Sequence, residues 1–166
     1  VQTFSQKEVK LRDHSGDFIC SPSCLLAWLK HNKSRKDLNL FPGDMVVAWD
    51  GGTGDIYSEM AGIFFRSDYE RRVAEFFILN DIHFEYENWV YKIPNTKKSG
   101  SQWTLYVPDF ILPEYNSLVE VKGLWMVGGK AKMKKFHTLY GATAPIMVTT
   151  WLIHDHKEWG EKIDVH

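Results

Sequence analysis

Asp109, Glu120 and Lys122 are the charges in this sequence whose placement asks for chemistry. They stand in "VPDFILPEYNSLVEVKG", residues 107–123, among Tyr106, Phe110, Ile111, Leu118 and Val119, which suit buried strands. A carboxylate in such surroundings carries a desolvation penalty unless something pairs with it. Glu120 and Lys122 are two apart on one strand, so their side chains share a face. Asp109 falls on the preceding strand, and an antiparallel turn through "PEYNS" brings it opposite Glu120. Two adjacent carboxylates repel unless a cation neutralises them, and a hard divalent ion such as Mg²⁺ takes carboxylate oxygens. The Val121 carbonyl is a candidate to complete the shell. A lysine beside such an ion can orient or deprotonate a water, or stabilise charge on a phosphate oxygen. The competing reading is an exposed strand carrying a cross-strand Asp–Lys pair.

Positioning these groups needs a sheet and a helix. Ser67 followed by Glu70 is a capping box that starts a helix, with Tyr69, Val73, Phe76, Phe77 and Asn80 at helical spacing. "HFEYENWVYKI" at 83–93 alternates like a strand, with Phe84, Tyr86 and either Asn88 or Trp89 competing for the inner face. "WTLYVPDFIL" and "SLVEVKGLW" read as the second and third strands, and "PIMVTTWLI" as the fourth. Between the last two, "GGKAKMKKFHTLYG" is a lysine-rich helix with Met133, Phe136, Leu139 and Tyr140 on one face. The order predicts an α/β fold, a mixed β-sheet flanked by helices, over 61–166. Residues 41–60, with "FPGD", the strand "MVVAW" and "DGGTGD", form a hairpin or linker. Residues 1–40 read as a small module ending in the polar run "KHNKSRKD".

The chain has 166 residues, enough for one domain with a real core or one domain plus an appendage. Hydrophobic residues at 44% and aromatics at 14% describe a globular chain rather than a disordered one. No apolar run approaches the ~18 residues of a membrane span, and no signal-peptide pattern is present, so a cytoplasmic location is expected. A net charge of −1 decides nothing about nucleic acid. Its distribution says more: Val121–Ile153 has no Asp or Glu but five Lys, at 122, 130, 132, 134 and 135. Such a stretch is either a phosphate-binding face or a solvated helix face.

"VPDF…VEVKG", with ten residues between the acids, resembles the signature of the PD-(D/E)xK nucleases. "FRSDYERRVAEFFILNDIHFEYE" is similar to the segment that precedes it in phage-encoded and resolvase-like members. The likeness covers residues 60–153. It implies a restriction-endonuclease-like core and Mg²⁺-dependent hydrolysis of a DNA phosphodiester, with Mn²⁺ a possible substitute. It further implies that Asp109 and Glu120 bind metal, that Lys122 activates or orients water, and that Glu70 brings a third carboxylate from the helix. Glu70 lines up with Ala74 and Phe77 toward the packed side; its other reading is a simple cap. Lys132 and Lys135 are candidates for DNA phosphate contacts, or for plain surface solvation.

"FICSPSCLLAW" carries Cys20 and Cys24 and resembles the second half of FCS-type (MYM/TRASH-like) zinc modules, in which a CxxC pair comes first. That pair would lie before Val1, or His14 and His31 would take its place; two buried reduced thiols and a disulfide are the alternatives. "HDH" at 154–156 resembles part of an HNH nuclease finger, without the downstream spacing, and reads better as a polar strand end. The expected function is a Mg²⁺-dependent DNA endonuclease of a phage or mobile element, acting as a monomer or homodimer. The alternative is a non-catalytic nucleic-acid-binding module on a nuclease-like scaffold.

Overall fold

The computed structural model describes residues 11–12, 18–19, 22–31, 39–49, 54–95, 100–123, 129–141, 143–144 and 146–149. Cys20, His14 and the 154–156 segment lie outside these residues. Cys24 and His31 fall on helix α1 (Pro22–His31), but their side chains also lie outside the description.

Helix α2 (Asp68–Leu79) begins where the capping pattern predicts. Ser67 is extended (φ −140°, ψ 156°), and its hydroxyl oxygen accepts from the Glu70 amide at 3.1 Å. This satisfies one of the orphan donors that every helix start carries. Val73, Ala74 and Phe77 form the buried stripe, while Arg71 and Arg72 pair with Asp68 one turn back on the open side. The third helix, α3 (Gly129–Tyr140), buries Phe136 and Tyr140 and leaves Leu139 exposed, so the expected apolar face is narrower by one residue.

The central sheet has four strands in the order β11 (Ile146–Thr149), β10 (Ser117–Val121), β9 (Phe110–Leu112), β6 (Glu85–Tyr86). β10 runs parallel to β11, and the other neighbours are antiparallel. All five residues of β10 are buried, because both of its faces are covered. Val119 and Val121 face α1 and α2, joining Leu25, Leu29, Val73 and Phe77. Leu118 and Ile111 face α3, joining Phe136 and Tyr140. The expected α/β class with helices about a mixed sheet is therefore present. A second, antiparallel sheet holds β3 (Val46–Ala48), β7 (Trp89–Pro94) and β8 (Trp103–Tyr106). β4 (Ile56–Ser58) and β5 (Ile63–Phe65) form a hairpin against α2, its turn closed by Gly62 at φ +71°. β1 (Leu11–Arg12) pairs with β2 (Phe18–Ile19).

Two of the expected strands are divided between sheets. Residues 83–93 form not one strand but β6 and β7, and "WTLYVPDFIL" forms β8 and β9. Tyr86 pairs with Phe110 and Tyr91 with Tyr106, so four residues, 87–90, stand opposite three, 107–109. The mismatch is a bulge, which bends a pair and re-aims side chains. Pro108, with no amide to donate, interrupts one partner. Glu87, in the left-handed region at φ 46°, interrupts the other. Across the bend the Glu87 amide donates to the Asp109 carbonyl at 3.0 Å.

Candidate metal centre

The bend sets Asp109 at the open end of the β9–β10 pair. Val119 lies opposite Phe110, and continuing that register puts Glu120 opposite Asp109, as the turn predicts. The Val121 amide donates to Asp109 Oδ2 at 2.6 Å. Val121 thus enters the centre through its N–H, a role the sequence did not suggest beside the expected carbonyl. Lys122, just past the end of β10, places its ammonium on Glu120 Oε1, and the Tyr106 hydroxyl donates to Glu120 Oε2 at 2.5 Å.

Glu70 reaches the same end from α2. It serves both the cap and the centre: its amide donates to the Ser67 hydroxyl, and its carboxylate is shared between that hydroxyl and Tyr86. Ser67 Oγ donates to Glu70 Oε1 at 2.8 Å and the Tyr86 hydroxyl to Oε2 at 2.5 Å. Among the described residues, Glu70, Glu87 and Asp109 each offer a carboxylate oxygen within 4.8 Å of the others. Glu87 was not among the expected ligands. Its signal is the failed alternation at Asn88 and Trp89, which marks a bulge. Glu120, expected within this set, is instead turned toward Tyr106 and Lys122.

The electrostatics follow from gathering these carboxylates in a low-dielectric place. Burial pushes the Asp109 carboxyl well above the usual range, and the charges of Glu120 and Glu70 push it further, against the Val121 amide and Lys122. Burial also raises Glu87, against its 2.7 Å ion pair with Arg66. Burial works to lower the Lys122 ammonium, but Glu120 and Asp109 outweigh it and the net shift is upward. Lys122 therefore stays charged. The donor set is all oxygen, and a divalent cation that takes carboxylate oxygens could be held there.

No protein-family model, curated protein or solved structure matches the chain. The case for a function therefore stands on the residues of the centre. No helix among the described residues is long and apolar enough to cross a membrane.

Of the two expected phosphate contacts, Lys132 on α3 holds its ammonium 5.7 Å from the centroid of the Tyr106 ring. It is thereby near the residue that meets Glu120. Lys135 is exposed on the same helix.

Proposed function

We propose that this chain is a metal-dependent endodeoxyribonuclease of the PD-(D/E)xK kind, with a restriction-endonuclease-like core. One observation carries the reading: Asp109, the Val121 amide and the Glu120–Lys122 pair meet at one end of β9–β10, with Glu70 arriving from α2. The order of elements adds support, since α2, the antiparallel strands β6, β9 and β10, then α3 and β11 parallel to β10 follow along the chain, with β7 and β8 in the second sheet.

Glu70, Asp109 and Glu87 would hold the ion, and Glu120 would complete the set by a turn of its side chain. A bound divalent ion offsets charge on the scissile phosphate and lowers the pKa of a water. Lys122, charged and fixed on Glu120, donates to a phosphate oxygen or holds the attacking water in line. Lys132 and Lys135 contact flanking phosphates and position the backbone without reading bases. One centre cuts one strand, so a monomer nicks and a two-fold dimer makes paired cuts.

Supercoiled plasmid incubated with Mg²⁺ should become open circle or linear, and EDTA should stop it. The ratio of the two products reports nicking against paired cutting. DNA retarded in a gel but never cut, at any Mg²⁺ or Mn²⁺ concentration, would instead make the chain a binding module.

A further inference from the structure

We infer that Tyr86 is a positioning residue for the metal centre, its phenol fixing Glu70 in the orientation that ion binding needs, while Tyr106 holds Glu120 aside from the ion. The inference rests on the nuclease reading of the same site. The two tyrosines are matched across the bend: Tyr86 is the last residue of β6 and Tyr106 the last of β8. Each donates to an Oε2 at 2.5 Å, Tyr86 to Glu70 and Tyr106 to Glu120. The direction of the first bond is fixed, because the Arg66 amide donates to the Tyr86 oxygen at 3.0 Å and leaves the phenol proton for Glu70.

The rings are anchored in different cores. Tyr86 packs on Phe65 and Phe110, with centroids 4.7 and 5.4 Å away. Tyr106 packs on Phe136 at 4.7 Å, with the Lys132 ammonium over its ring. Each phenol therefore ties a carboxylate to a packed wall. Glutamates gathered beside Asp109 repel one another and turn away unless held. A carboxylate oxygen that accepts one hydrogen bond keeps a second lone pair for a cation. Ser67 and Lys122 hold the opposite oxygens, so each glutamate is gripped at both ends.

A role confined to packing would lower stability and leave ion affinity alone; a positioning role changes affinity. Tyr86→Phe and Tyr106→Phe keep the rings and remove the donors. The control is Tyr140→Phe, which removes a hydroxyl that donates to the Lys92 carbonyl at 2.7 Å, away from the carboxylates. Mn²⁺ binding to the full chain without DNA is read by electron paramagnetic resonance, and half-maximal nicking by Mg²⁺ titration. Tyr86→Phe should bind Mn²⁺ roughly 10–100-fold more weakly and need correspondingly more Mg²⁺, as loss of an outer hydrogen bond does at metal sites, whereas Tyr106→Phe, which frees Glu120 to turn, should not weaken binding. Tyr140→Phe should match wild type. Should Tyr106→Phe not fold, Tyr86→Phe decides alone, since its ring is only partly buried. Unchanged affinity in folded Tyr86→Phe, or an equal loss in Tyr106→Phe or Tyr140→Phe, overturns this inference alone if wild type binds and nicks. A wild type that neither binds Mn²⁺ nor nicks overturns the nuclease reading and this inference with it.

Discussion

The amide of Glu87 donates to the carbonyl of Asp109 at 3.0 Å, joining the two points where one antiparallel pair passes from the central sheet to the second sheet. The bond makes the bend and the acidic cluster one feature. Replacing Glu87 by Gln keeps the backbone bond and removes one carboxylate charge from the cluster. Mn²⁺ affinity should fall by about tenfold or more, with folding intact by near-ultraviolet circular dichroism. Unchanged affinity would place Glu87 outside the coordinating set.

Glu120→Gln and Lys122→Met should each abolish nicking while leaving gel retardation of DNA measurable. Lys122→Met also leaves Glu120 buried with Tyr106 as its remaining described donor. Breaking a partly buried pair in this way should cost about 2 kcal/mol in urea unfolding. Cleavage retained by both variants in excess Mg²⁺ would dismiss the catalytic roles.

Stability without metal should depend on pH through Asp109, whose folded pKa lies above its unfolded value because of burial first and the charges of Glu120 and Glu70 second. Between the unfolded value of about 3.9 and the raised folded value, the folded chain keeps a proton that the unfolded chain has lost. The contribution is fully present below the unfolded pKa and disappears as pH rises through the folded one. Asp68 works in the opposite sense, its hydrogen bonds to Arg71 and Arg72 outweighing burial and holding it low. The difference between wild type and Asp109→Asn isolates the Asp109 part. In EDTA, Asp109→Asn should gain melting temperature over wild type at pH 8 and lose that advantage toward pH 4. An asparagine oxygen can still accept from the Val121 amide. A difference that is flat with pH would refute the assignment.

Phe110 sits where the central sheet meets α2, edge-on to Phe77 and Phe84 at 5.4 and 5.3 Å, and fully buried. Phe110→Ala should cost about 3–5 kcal/mol in chemical denaturation, the range for a large ring removed from a packed core. Because Phe110 adjoins Asp109, Mn²⁺ affinity should fall as well. Loss of stability without loss of affinity would mean the centre is rigid independently of this core.

Ser67 has two tasks, as helix cap and as donor to Glu70 Oε1. Ser67→Ala should lower stability by about 1 kcal/mol and also weaken Mn²⁺ binding. Ser67→Gly removes the same hydroxyl at a position where glycine caps tolerably, so it should recover most of the stability and none of the affinity. Parallel recovery of both would make the Glu70 contact incidental.

What could be read ahead of the structure was what depends on short-range pattern. Ser67 announces α2, and the two-residue spacing of Glu120 and Lys122 puts them on one side of β10. "PEYNS" closes a turn tight enough to set Asp109 against Glu120. What stayed hidden depends on where a strand stops being one strand. Alternation along 83–93 counts residues but not the bulge, and moving the register by one residue at Glu87 changes which acid faces the site. Tyr86 and Tyr106 read as core aromatics, which they are; only the meeting of two cores at the bend shows that their hydroxyls reach Glu70 and Glu120.

The bulge between 87–90 and 107–109 also has a kinetic consequence. Glu70, Glu87, Asp109 and Glu120 come from four separate stretches of chain, and no turn or helix alone brings three of them together. Contacts between segments far apart in sequence form late and slowly, after the entropy of closing the intervening loops has been overcome. The acids are therefore forced together only once β6, β9 and β10 have zipped. A chain still emerging from the ribosome has no complete centre until β10 is out and paired with β9.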